Sequence, residues 1–176
     1  VVHCYGGETH GSEDLSSAFA NSCNAAFSKI GTLTDPKKLL ETGDALLLNQ
    51  DLPISIASSK SRLKLATDAD PWTMMQSAIG QGDTMMSPLH EVILSAAIAN
   101  GGVLVEPMLL RQVQSADGKV VKTFGEGAKR TLMSAEEAST LGGFMRRVVT
   151  EGTASVLRKA DYEAAGKTGS AEVVKN

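Results

Sequence analysis

A chain of 176 residues is long enough for one domain with a real core, and 42% apolar with 21% charged residues excludes wholesale disorder. A net charge of -3 gives no footing for nucleic acid or an anionic membrane surface, and the densest basic pairs, Lys129-Arg130 and Arg146-Arg147, read as solvated helix or loop edges. Two cysteines, Cys4 and Cys23, make neither a disulfide framework nor a zinc set, and no apolar run is long enough to span a bilayer.

Helix signals dominate the chain. Gly11-Ser12-Glu13-Asp14 opens a pattern with Leu15, Ala18 and Phe19 on one face, and a second helix starts at Ser22-Cys23-Asn24 with Ala26, Phe27 and Ile30. Asp35-Pro36 and Asp70-Pro71 each place a capping acid before a proline at the first helical position. The first should run through Leu39 and Leu40 to Gly43, and the second should carry Trp72, Met75 and Ala78 to Gly80. Between them, residues 52–70 are Ser-rich and weakly periodic and read as a loop.

Ser87-Pro88 begins the clearest helix, with Leu89, Val92, Ile93, Ala96 and Ala97 repeating at three and four until Asn100-Gly101-Gly102 stops it. Residues 103–114 and 119–124 are β-rich runs around Ala116-Asp117-Gly118, a hairpin signal, with Pro107 confining the first run to an edge or delaying its start. Ser134-Ala135-Glu136-Glu137 is a capping box for a helix through Leu141, Phe144, Met145 and Val148. A short helix over 153–158 then precedes a final strand from Ala164.

Two triplets carry chemistry, and each alone is bland. Lys167-Thr168-Gly169 reads as a strand start with a surface lysine, and Ser22-Cys23-Asn24 as a helix cap. Their order changes that reading. His10-Gly11-Ser12-Glu13-Asp14-Leu15 leads into Ser22-Cys23-Asn24. Gly80-Gln81-Gly82, residues 96–102, Glu151-Gly152-Thr153-Ala154 and finally Ala165-Gly166-Lys167-Thr168-Gly169-Ser170-Ala171-Glu172 follow. In that order the blocks closely resemble the transpeptidase domain of penicillin-binding proteins, of the monofunctional class B type, from about Cys4 to Glu172. The family's nucleophilic Ser-x-x-Lys should precede Ser22, and none stands there. Ser58-Ser59-Lys60-Ser61 and Ser59-Lys60-Ser61-Arg62 do not supply it.

The resemblance implies an α+β, mainly α chain. It comprises the helical subdomain of the serine transpeptidase/β-lactamase-like fold over 1–160, with one hairpin, and the start of the sheet over 161–176 with the Lys-Thr-Gly strand. It implies that Ser22 relays a proton, that Asn24 holds the Ser-x-x-Lys lysine and the substrate amide, and that Lys167 faces Ser22 across a cleft. Thr168 and Ser170 would bind the substrate carboxylate, Gly169 would let a peptide pair with the strand, and the Ser170 N–H would form half of an oxyanion hole. Cys23 would point away as a small buried residue.

No metal or cofactor is expected. His90-Glu91 is followed by Leu94 where a paired histidine would stand, and His3 and His10 are too few for a site. Gly80-Gln81-Gly82 and Glu151-Gly152-Thr153-Ala154 read as structural, and the pairs Met74-Met75 and Met85-Met86 as core filler. The implied partners are peptidoglycan stem peptides and β-lactams, at the extracytoplasmic face of a bacterial membrane, with an anchor in the full-length protein. The expected reaction is cross-linking through an acyl-serine by a parent enzyme cut at both ends here, the fragment alone being inactive. A β-lactam sensor or pseudoenzyme module is the alternative, and a serine β-lactamase is disfavoured by the Gly80-Gln81-Gly82 and 96–102 blocks.

Overall fold

The computed structural model describes residues 2–169, and the chain orders them into six α-helices and four short strands. The helices are α1 (Leu15–Ala20), α2 (Asn24–Leu33), α3 (Pro36–Ala45), α4 (Pro71–Ala78), α5 (Pro88–Ala99) and α6 (Ala135–Thr150). Their starts follow local chemistry. Asp14, Asp35, Asp70 and Ser87 each accept a backbone N–H from the first turn, and α3, α4 and α5 begin on proline. Ser134 and Glu137 complete the capping box of α6 in both directions.

Four of the helix ends share one geometry. Behind α1, α3, α4 and α5 the chain turns through a left-handed residue, with the paired backbone bonds of a Schellman motif: Ser22 N–H to Phe19 and Cys23 N–H to Ala18 after α1, Leu47 to Asp44 and Leu48 to Gly43 after α3. Gly80 and Gly101 hold that position after α4 and α5, as its positive φ favours. Ser22 (φ 55°) and Leu47 (φ 71°) hold it without being glycine.

The main core gathers Leu47, Leu52, Ile93, Ala97, Leu104 and Leu132, so α5 packs on the strands and on the turn after α3. Leu47 is 1% exposed, and its burial offsets its backbone strain. A second cluster of Cys4, Ala18 and Cys23, with Ala26 and Phe27 against it, joins the N-terminal segment to α1 and α2. Small residues bring helices close. At Gly31 of α2 a Cβ would meet the Ala78 Cβ of α4 at 2.7 Å.

Several helix faces differ from the periodicity reading. Met74, not Met75, is the buried residue of α4, and Trp72 is exposed, because α4 turns its Met74–Ala78 side to Gly31. In α5 Val92 is exposed and His90 is buried, its Nε2 2.8 Å from the Leu46 carbonyl, which gives that histidine a structural place. Met85 and Met86 are surface residues. Met85 forms an isolated antiparallel bridge with Arg62 that pins the 52–70 loop.

The strands form two ladders. β2 (Gln112–Gln114) and β3 (Val120–Thr123) make the expected hairpin, with a register shift at Val113/Gln114. β1 (Val103–Val105) instead pairs antiparallel with β4 (Lys129–Thr131), which sequence did not indicate. The β-rich run over 103–114 breaks at Glu106-Pro107, since proline brings no N–H to a ladder. The strand expected from Ala164 is also corrected. Residues 164–169 have no regular structure, as no described strand lies alongside to bond them. Residues 170–176, including Ser170 and the rest of that expected strand, lie outside the described residues. No described helix is long and apolar enough to cross a membrane.

Candidate active site

Ser22 and Lys167 meet. The Lys167 Nζ donates to the Ser22 Oγ at 2.8 Å across 145 residues of sequence, and also to the Thr168 carbonyl at 2.9 Å. It stands 5.7 Å from the centre of the Phe19 ring, a cation–π distance. Phe19 is fixed edge-on to Phe27 and tilted against Phe144, so α1, α2 and α6 all support the lysine's platform. The residue as a whole is exposed, but the ammonium is partly shielded by these neighbours. That desolvation holds its pKa below the ordinary lysine value.

Main-chain contacts bring the two motifs together. Ser22 is thrust out by the left-handed turn behind α1, and the last carbonyl of α1, Ala20, accepts the Thr153 N–H at 3.2 Å. Gly152 lies so close that a Cβ there would overlap the Ala20 carbonyl oxygen. The Thr153 hydroxyl meets the Thr168 hydroxyl at 2.6 Å. Gly166 N–H donates to the Met145 carbonyl at 3.1 Å, and Arg146 donates to the Ala164 carbonyl at 2.9 Å. Glu151-Gly152-Thr153-Ala154 is therefore structural, as expected, and its Thr153 bonds both Thr168 and Ala20, two residues before Ser22.

The basic pair Arg146-Arg147 is not the solvated edge that sequence suggested. Arg147 reaches Ser16 and Ser17 of α1 while paired with Glu151 at 2.7 Å.

The remaining predicted residues fall in different places. Asn24 Nδ2 donates to the His3 carbonyl at 3.2 Å, so its amide ties down the N-terminal segment. Thr168 sits beside Lys167 and faces Thr153, and Gly169 is open, with nothing within 4 Å of where a Cβ would stand. Cys23 is buried, and burial pushes its thiol pKa up. A hollow of about 670 Å³ at Asn100, Val103, Glu106 and Lys129 contains none of these residues, and the motif chemistry lies at the exposed Ser22–Lys167 contact instead. The chain's one Ser-x-x-Lys tetrapeptide is Ser61-Arg62-Leu63-Lys64. Its serine is buried, accepting the Ser87 N–H at 2.9 Å, and its lysine pairs with Asp83 at 3.1 Å. It has no reactive hydroxyl to offer.

Sequence reasoning missed Phe19 and Thr153 as neighbours of the site. Neither carries a local signal, because both act through contacts between distant segments.

Comparison with known proteins gives the arrangement a context. The family profile described as the penicillin binding protein transpeptidase domain matches residues 4–176. Peptidoglycan D,D-transpeptidase PbpA of Mycolicibacterium smegmatis is 31% identical over 163 residues, which are 90% of this chain and 32% of PbpA. Stage V sporulation protein D of Bacillus subtilis is 26% identical over 177 residues, 99% of this chain and 27% of that protein. Among solved structures, penicillin-binding protein A from M. tuberculosis as an imipenem acyl-enzyme complex has a TM-score of 0.85 at 28% identity, covering 97% of this chain and 39% of that one. The D,D-transpeptidase domain of a peptidoglycan glycosyltransferase from Eggerthella lenta has a TM-score of 0.84 at 26% identity, covering 95% and 44%. The chain spans about a third of the length of these curated relatives. On a profile matched from Cys4 onward and a fold shared with these domains, the chain belongs to the penicillin-binding protein transpeptidase family.

Proposed function

We propose that these residues line the acyl-transfer groove of a serine-type peptidoglycan D,D-transpeptidase, a protein that β-lactams acylate. The observation that carries the reading is the 2.8 Å bond between Lys167 Nζ and Ser22 Oγ. A hydroxyl bonded to a lysine of lowered pKa can take up and hand on a proton, which attack on an amide carbonyl and departure of an amine both require. In this role Lys167 and Ser22 move the proton, and Thr168 with Ser170 receives the substrate carboxylate. Asn24 steadies the loop and, when substrate is bound, its amide. The nucleophile is a serine outside the 176 residues. It attacks the D-Ala-D-Ala carbonyl, D-Ala leaves, and an amine of a neighbouring stem peptide takes the acyl group. The work is done at the extracytoplasmic face of the bacterial membrane.

Fluorescent penicillin applied to the gene product that carries these residues tests the reading. Mass spectrometry is expected to place the label on a serine outside residues 1–176, and Lys167→Ala to slow labelling by about 10²–10⁴-fold. The 176-residue chain alone is expected to remain unlabelled. Label on Ser22 or Ser61 overturns the assignment. Stable labelling without cross-linking of stem peptides would instead identify a β-lactam sensor.

A further inference from the structure

The Lys167 ammonium has three protons to donate. One goes to the Ser22 Oγ at 2.8 Å and one to the Thr168 carbonyl at 2.9 Å. Partial burial takes water from the group and lowers its pKa, and no ion pair among the described residues includes it. What it meets instead is the Phe19 ring, whose centre lies 5.7 Å from Nζ. The negative face of an aromatic ring attracts a cation within about 6 Å.

Phe19 and Ser22 belong to one turn. The Ser22 N–H donates to the Phe19 carbonyl at 3.2 Å, so ring and hydroxyl are tied three residues apart at the left-handed end of α1. The ring is held at 67° to Phe27 with centres 6.1 Å apart, and at 41° to Phe144 with centres 5.7 Å apart. Charged groups on the surrounding elements are engaged elsewhere or lie exposed. Arg147 pairs with Glu151 at 2.7 Å, and Arg146 stands 3.9 Å from Glu163. Glu13 accepts the Asn21 amide and Asp14 the Ser17 N–H, while Lys29 of α2 and Asp161 are exposed. Burial raises the Cys23 thiol pKa and so keeps it neutral.

We infer that Phe19 is a positioning residue of the site: its ring face stands in for the water that the Lys167 ammonium has lost, keeping that group charged and aimed at Ser22. The purpose of the contact rests on the acyl-transfer reading, whereas the contact itself does not. An ammonium can hand a proton to Ser22 and draw in a carboxylate. A neutral amine is a poor acid and attracts no anion. Shielding and the ring act in opposite directions on the lysine, since shielding drives the proton off and the ring face holds it. A leucine at position 19 would keep much of the shielding and lose the attraction, so the site needs an aromatic residue there and not merely an apolar one.

Fluorination of the Phe19 ring tests this, because it drains negative charge from the ring face with little change of shape. Phenylalanine analogues of rising fluorine content are placed at position 19. The proton affinity of Lys167 is then read in the 176-residue chain from the pH dependence of its acetylation, followed by mass spectrometry. Affinity is expected to fall stepwise, by about 2–30-fold in total, and Phe19→Leu should lower it as well. The same analogues at Phe124, whose ring carries the Lys122 ammonium at 4.7 Å, should leave Lys167 unchanged. In the gene product that carries these residues, the alkaline limb of penicillin labelling should move to lower pH in the same order. An affinity that ignores the fluorine content, or a labelling limb that stays fixed while the affinity falls, overturns the inference. A stepwise fall with no penicillin label anywhere on the gene product upholds the contact and counts against the acyl-transfer reading alone.

Discussion

Ser22 and Leu47 occupy the same strained turn for opposite reasons. A left-handed backbone costs an L-residue about 1–2 kcal/mol, and at Leu47 burial in the core offsets it. Ser22 has no such compensation. It is only half-buried, and what its position achieves is the bond to Lys167. Glycine should therefore act in opposite directions at the two sites. Ser22→Gly is expected to raise the melting midpoint by about 2–4 °C relative to Ser22→Ala while losing the hydroxyl. Leu47→Gly is expected to lose about 2–5 kcal/mol or more, because it empties the core. Thermal denaturation of the three variants reads both signs, and a stabilised Leu47→Gly would contradict the core assignment. Strain kept at a residue with no packing reason for it is a mark of a working site. Of the motif residues, the Ser22 and Lys167 positions were recognisable only through the order of blocks along the chain. Thr153 stood in a block read as structural, and its contact with Thr168 was not legible there, since it is set by tertiary packing.

At the scale of elements, the legible parts were those whose signal is local. Asp35-Pro36, Asp70-Pro71, Ser87-Pro88 and Ser134 with Glu137 each fix a helix start within four residues, and all four helices begin there. The β1–β4 ladder joins Val103 to Thr131 across an intervening hairpin, and no short pattern records such a pairing. The close approach of α1 to the end of α6 is equally silent in sequence, yet it depends on a single missing side chain. Gly152→Ala would drive a methyl group into the Ala20 carbonyl, and overpacking of this kind costs about 1–3 kcal/mol. The expected result is a lower melting midpoint together with loss of the Lys167–Ser22 proximity, measured by cross-linking or exchange. An unchanged midpoint would mean that the two helix ends do not touch.

For the whole molecule, acid and alkali should act through different groups. Asp14, held by the Ser17 N–H, Asp70, held by the Thr73 hydroxyl, and Glu137, held by the Ser134 N–H, all have carboxyls below their ordinary values. The unfolded chain then binds more protons than the folded one in the acid range. Stability from these caps is complete above the ordinary carboxylate values and is lost as pH falls through the folded ones. Asp70→Asn should flatten the decline of melting temperature between about pH 5 and pH 2. Lys167 has the opposite charge but the same slope. Its lowered pKa means that the folded chain sheds its proton first, so stability rises as pH climbs from the folded value toward the ordinary 10.5. Lys167→Met should abolish that alkaline rise and leave the acid limb intact. The joint between Ala20 and Thr153 has one more implication. It rests on a peptide-to-peptide bond spanning 133 residues, seconded by the Thr153 hydroxyl on the same carbonyl, so swapping side chains for methyl groups one at a time would register it at Gly152 and Thr153 alone.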